Sequence, residues 1–117
     1  MTIDNSQVID FLVSDHDEQV TMIIADHWGW EPHEEAEHAR LLKYKINGYI
    51  ACVESGELQE VYAKAFNRTL SPTANIEFQI VAKYEMSTAA EQVFQYSQNI
   101  LVNAGYLLTF KKWAPKP

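Results

Sequence analysis

Residues 26–56 read DHWGWEPHEEAEHARLLKYKINGYIACVESG, and the long amphipathic run inside them decides the fold. From Pro32 onward, Ala36, Ala39, Leu42, Ile46, Tyr49, Ile50 and Val53 recur in steps of three and four, which gathers them on one stripe of a 3.6-residue helix. Leu41, Tyr44 and Cys52 fall at its margins, and Glu37, Arg40, Lys43, Asn47 and Glu54 belong to the wet side. Pro32 suits a first helical position, and Glu34, Glu35 and Glu37 set negative charge against the positive end of the helix dipole. Ser55-Gly56 supplies the stop, since glycine takes the left-handed conformation after a helix without a Cβ penalty. At 1.5 Å per residue such a helix spans about 34 Å. So wide an apolar stripe must be covered, and the rest of the chain offers strands to cover it.

Composition bounds the function classes. The chain has 117 residues, 47% of them hydrophobic, enough for one domain with a core that needs no covalent staple. A single cysteine excludes an internal disulfide, and apolar runs of only about five residues give neither a signal peptide nor a membrane span, so a cytoplasmic location is expected. With 9 basic and 16 acidic side chains the net charge is −7, which repels polyanions and argues against nucleic acid as a partner. Lys111, Lys112 and Lys116 lie near Pro115 and Pro117 and read as a solvated tail.

Ahead of the helix, residues 8–14 (VIDFLVS) and 19–26 (QVTMIIAD) alternate as strands, and the polar run Asp15-His16-Asp17-Glu18 makes them an antiparallel hairpin. After Gly56 the pattern weakens. Leu58, Val61, Tyr62 and Ala65 permit a short helix, but Asn67 to Thr73 carries loop residues. Residues 75–85 (NIEFQIVAKYE) alternate most cleanly, with Ile76, Phe78, Ile80, Ala82 and Tyr84 on one side. Thr88-Ala-Ala-Glu91 matches a capping box. It opens a helix whose buried stripe is Ala90, Val93, Phe94, Ser97, Ile100, Leu101 and Ala104 and whose stop is Gly105; residues 106–113 (YLLTFKKW) close as a strand.

The expected fold is α+β, a two-layer sandwich in β-β-α-β-α-β order, with a four-stranded sheet and two helices on one face. Right-handed crossovers between parallel strands put both helices on that face. The opposite face would show Ile23, Val81 and one side of the last strand, and this partly apolar surface suggests a homodimer formed through the open sheet face.

Three segments, DHWGW (26–30), ARLLKYKINGYIACVESGEL (39–58) and VAKYEMSTAAEQVFQYSQNILVNAGY (81–106), together resemble a family of small uncharacterised bacterial proteins. In that family a strand ends in Ser-Asp-His-Leu-x-Trp, a helix reads like KINAYLAFIESGEL, and a later FKYEP precedes a helix ending in AGF. The block from Lys45 to Leu58 carries the resemblance most specifically. Trp28-Gly29 stands where the family has Leu and an acidic residue, and the loop around Ala65–Ala74 is longer. The family is a domain of unknown function, so the resemblance implies a fold and no activity.

Unusual chemistry concentrates at the start of the long helix. Asp26, His27, His33, Glu34, Glu37 and His38 are metal-ligand types, and Glu34 with His38 shares a helix face at i, i+4. The spacing matches neither H-E-x-x-H nor H-x-x-E-H, and His33 and His38 stand about 140° apart around a helix. The run therefore reads as an acidic, solvated first turn with histidines at its rim. Asp26 beside His27, with Trp30 as an aromatic wall, also has the form of an acid–base pair, but no nucleophile motif accompanies it and 4 glycines make no phosphate-binding loop. The plainer expectation is that Asp26 caps the turn while Trp28 and Trp30 close the core. Asn47-Gly48 in mid-helix points to a close packing or partner contact. These residues sum to a non-enzymatic interaction or regulatory domain that self-associates and meets a protein partner of unknown identity, with no cofactor, nucleic acid or membrane. The alternative is a small-molecule- or metal-binding protein, or an enzyme, working at the Asp26–His38 cluster through Asp26, His27, Trp30, His33, Glu34, His38 or Asn47.

Overall fold

Strand alternation positions everything else. The computed structural model describes residues 11–113. Its central pair is β2 (Gln19–Asp26) and β3 (Asn75–Ala82), which run parallel with Ile24 opposite Ile80. β1 (Phe11–His16) lies antiparallel on the outer side of β2, and β4 (Leu107–Lys112) lies parallel on the outer side of β3 with Phe110 opposite Ile80. The four strands thus lie in sequence order, β1-β2-β3-β4. The hairpin appears as expected, but its loop is only Asp17-Glu18, because β1 continues through an irregularity between Val13 and His16. Residues 8–10 of the expected first strand lie outside the described residues.

Even-numbered positions of β2 and β3 are the buried ones: Val20, Met22, Ile24 and Asp26, then Phe78, Ile80 and Ala82. These side chains share one core with Leu42, Ile46, Tyr49 and Cys52 of α1 (Glu35–Glu54), Leu58 and Tyr62 of α2 (Glu57–Phe66), and Phe94 and Leu101 of α3 (Thr88–Asn103). Odd-numbered positions, Thr21, Ile23 and Ala25 with Glu77, Gln79 and Val81, are only half-buried.

The expected order counted two helices; among the described residues there are three, the added one being the short helix that Leu58, Val61, Tyr62 and Ala65 permit. Gly56 does stop α1, at φ +84°, but the same residue is the N-cap of α2, so the chain turns directly into the short helix with no loop between. The order is therefore β-β-α-α-β-α-β. Leu58 and Tyr62 anchor α2 with no exposed surface, and Asn67, itself left-handed at φ 54°, ends it. The Tyr62 hydroxyl donates to Asp17 Oδ1 at 3.0 Å, takes a hydrogen bond from Arg68 at 3.2 Å and lies 2.9 Å from Ser14 Oγ, which ties α2 to the hairpin.

Smaller shifts have local causes. Pro32 belongs to a turn before α1, where the amides of Glu34 and Glu35 both donate to the Glu31 carbonyl at 2.9 Å. The cap of α3 is Ser87, one residue before the expected Thr88, and its hydroxyl accepts from the Ala90 amide at 3.1 Å. Ile100 is 45% exposed, outside the stripe expected for it, whereas Gly105 adopts the left-handed stop at φ +90° as expected. β3 ends at Ala82, three residues early, although the Lys83 amide still donates to the Asp26 carbonyl at 2.9 Å.

Candidate functional site

Asp26 ends β2, and the alternation that buries Val20, Met22 and Ile24 sends its carboxylate to the same covered face. His27, one residue on, must face the other way and is exposed. The alternative of an Asp26–His27 acid–base pair therefore does not form. Asp26 meets His38 instead, from the first turn of α1, with Nε2 at 2.7 Å from Oδ1 and 2.6 Å from Oδ2. His38 is completely buried and Asp26 is 4% exposed, so the histidine expected at a solvated rim is a core residue.

The remaining contacts of the pair hold the turn between β2 and α1. His38 Nδ1 lies 2.7 Å from the Gly29 carbonyl oxygen, and the Trp28 amide donates to Asp26 Oδ1 at 3.2 Å. The Trp30 ring stacks on the imidazole at 3.5 Å between centroids and 15° between planes, and Trp28 tilts against it at 6.0 Å. A carbonyl oxygen only accepts, so Nδ1 carries a proton. Nε2 lies within hydrogen-bond distance of both carboxylate oxygens of Asp26. Both ring nitrogens are thus committed to protein oxygens. None is left to take a proton from a substrate or to ligate a metal. Asp26 does cap the turn, and Trp28 and Trp30 pack against the core, as the plainer expectation had it.

The other sequence candidates scatter. The His33 side chain is 80% exposed and reaches only Glu34, at 3.9 Å. Glu37 pairs with Arg40 on the outer side of α1, and the hydrogen bond from that guanidinium holds its carboxyl below the ordinary carboxylate range. Asn47 is exposed on α1. Among the described residues no group of three or more His, Cys, Asp or Glu side chains is arranged to hold a metal ion. Cys52 is buried, and desolvation, with the Glu57 carboxylate adding to it, pushes its thiol up to about 11, the opposite of what an activated nucleophile needs.

What the turn does build is a concavity of about 530 Å³ on its outer side, lined by His27, Trp28, Gly29, Trp30, Glu31, Glu34, Tyr84 and Glu85. Tyr84 and Glu85 come from the segment after β3. Sequence reasoning missed both as site residues, because the alternation of residues 75–85 set Tyr84 on the covered side of a strand that in fact ends at Ala82, and no motif marks Glu85. The parallel pairing of β2 with β3 brings residue 84 beside residue 27. A second concavity of about 530 Å³ lies over the odd-numbered side of the sheet, lined by Ile23, Ala25, Asp26, His27, Val81, Lys83 and Trp113.

Residues 1–114 match the model of the family of unknown function DUF6572. The chain belongs to that family. No curated protein and no solved structure matches it. Membership accords with the expectation of an uncharacterised domain family, and assigns no chemistry to the turn. The weight of a functional reading for this family member therefore rests on its geometry. No helix among the described residues is long and apolar enough to cross a membrane.

Proposed function

We propose that the protein is a non-enzymatic, cytoplasmic interaction domain, built as two layers with the helices on one side of the sheet, which self-associates through the other side. The observation that carries this reading is the apolar, partly exposed odd-numbered face. Ile23, Ala25 and Val81 line its concavity, and Val13, Leu107 and Trp113 are 50%, 57% and 54% exposed around it. The committed nitrogens of His38 and the raised thiol of Cys52 support the absence of a catalytic role.

The occupant best suited to this face is a second copy. Ile24, Ile80 and Phe110 stand level across the sheet. A two-fold axis through that level and across the strands reverses each strand over itself. It sets exposed Leu107 over the partner's Trp113 and Glu77 over the partner's Lys83, so the surface is complementary to itself in both hydrophobicity and charge. Four strands at about 4.8 Å spacing and eight residues of about 3.3 Å cover about 500 Å² per copy. About 1,000 Å² for the pair reaches the lower limit of specific interfaces.

Light scattering behind size exclusion tests the reading. The chain mass is 13.4 kDa, and the expected species has twice that mass at tens of micromolar. Leu107→Lys should return it to a folded monomer with unchanged circular dichroism and a thermal midpoint that no longer rises with protein concentration. A wild-type monomer at every concentration up to about 0.5 mM would overturn self-association.

A further inference from the structure

We infer that the concavity over the β2–α1 turn is a binding site for a small organic cation carrying an alkylated ammonium group. Its lining combines two features that select one ligand chemistry. Trp28, Trp30 and Tyr84 supply aromatic surface, and Glu31, Glu34 and Glu85 supply negative charge, with no lysine or arginine in the lining itself. Aromatic faces attract a cation through the ring quadrupole, and alkyl groups on that cation add apolar contact that a bare metal ion or a hydrated ammonium does not make. The volume, about 530 Å³, lies within the ordinary range for small-molecule pockets.

The floor of the site is glycine for a reason seen in the geometry. A Cβ on Gly29 would stand 3.2 Å from Glu34 Oε1 and 3.8 Å from the Tyr84 ring, so a carboxylate and an aromatic edge converge over this residue. Gly29 is also held from beneath, its carbonyl bound by His38 Nδ1. Trp28 is held through its amide by Asp26, and Trp30 rests one face on the buried imidazole. The buried pair thus fixes three consecutive lining residues before any ligand arrives, which lowers the ordering cost of binding.

Neighbouring cations sharpen the assignment to particular acids. Glu85 is engaged by Lys112 at 3.3 Å, and Lys83 lies over the Tyr84 ring at 5.5 Å from its centroid, which already shows a cation taken by this aromatic. His33 approaches Glu34 at only 3.9 Å with its side chain 80% exposed. Glu34 and Glu31 are therefore the acids on which the ligand charge depends, with Trp28 and Tyr84 as the walls.

The site shares His27 with the self-association face, and Lys83 of that face lies over the Tyr84 ring, but the test of the site reads neither mass nor oligomeric state. Choline is titrated into the full chain and followed by tryptophan fluorescence and calorimetry, with 3,3-dimethyl-1-butanol as the neutral twin of the same shape. Saturable binding of choline is expected, at least tenfold tighter than that of the neutral twin. Glu34→Gln should weaken choline about fivefold or more, and Tyr84→Leu likewise, both with unchanged circular dichroism. Tyr84 is 45% exposed, so its substitution spares the core even where Trp28→Leu would not. No saturation by 50 mM choline, equal binding of the neutral twin, or an unchanged affinity in Glu34→Gln would each overturn the assignment.

Discussion

The buried pair Asp26–His38 is the residue on which the turn depends, and its energetics follow from where each proton and lone pair goes. Removing His38, as in His38→Phe, leaves a carboxylate buried with one backbone amide for company. Removing Asp26, as in Asp26→Leu, leaves Nε2 without its acceptor while Nδ1 keeps the Gly29 carbonyl. Breaking such a pair from one side costs about 3–5 kcal/mol, and replacing both members with apolar groups costs much less than the sum. Urea unfolding of both single variants and the double variant should therefore show strong coupling, with His38→Phe the more damaging single change. Additive losses would mean that the two side chains act separately. Both residues were recognisable in the sequence as unusual, but not as partners. Adjacency suggested Asp26 with His27, whereas alternation along a strand sends neighbours to opposite faces, and that rule excludes the adjacent pair. The helical half of the signal was also there. His38, Leu42, Lys45, Tyr49 and Cys52 recur in steps of four, three, four and three and are all buried. An eye for apolar residues alone passes over His38 and Lys45, and so places the stripe too far round the helix, on exposed Ala36. Lys45 lies with its ammonium 5.4 Å from the Tyr49 ring centroid, an arrangement that hydropathy does not signal.

Elements whose ends carry their own chemistry were the most legible. β2 and β3 alternate cleanly because one face is covered, and α3 lies between a serine cap, one residue before the threonine from which its start was read, and the left-handed glycine from which its stop was read. α2 was obscured by the strength of a correct observation, for Ser55-Gly56 does end a helix. What a sequence does not reveal is that the residue after a stop can be the cap of the next helix with no loop between. Gly56 at φ +84° with no heavy atom within 4 Å of a built Cβ isolates the backbone effect from any packing effect. Gly56→Ala should cost about 1–2 kcal/mol, the penalty of a Cβ in the left-handed region, read as a lower urea midpoint with unchanged slope. Helix content should be kept, because Leu58 and Tyr62 still anchor α2 in the core. A neutral substitution would mean that the α1–α2 corner relaxes to another conformation at no cost.

At the scale of the molecule, parallel pairing of β2, β3 and β4 determines which surfaces are available, since each crossover carries a helix. The sheet order follows the sequence order and the register across β2, β3 and β4 is unbroken, so charged residues at the two ends of β3 are displayed at opposite ends of the odd-numbered face. Glu77 lies near its start, hydrogen-bonded by Thr109 at 2.6 Å, and Lys83 just beyond its end. The two-fold arrangement proposed for a pair of chains places each over the other's counterpart, twice per dimer. Glu77→Lys alone would set two like-charged pairs across the interface, and Lys83→Glu alone would do the same with the opposite sign. Each single change should weaken the dimer, by about fivefold for two partly exposed pairs at roughly 0.5 kcal/mol each. The double variant Glu77→Lys/Lys83→Glu restores opposite charges at both places and should recover most of the affinity in sedimentation equilibrium. A parallel stacking of the two sheets, with β1 over β4, keeps Glu77 and Lys83 apart and predicts no recovery. Failure of the double variant to associate better than either single one would therefore reject the antiparallel two-fold geometry while leaving self-association by the Leu107 test intact.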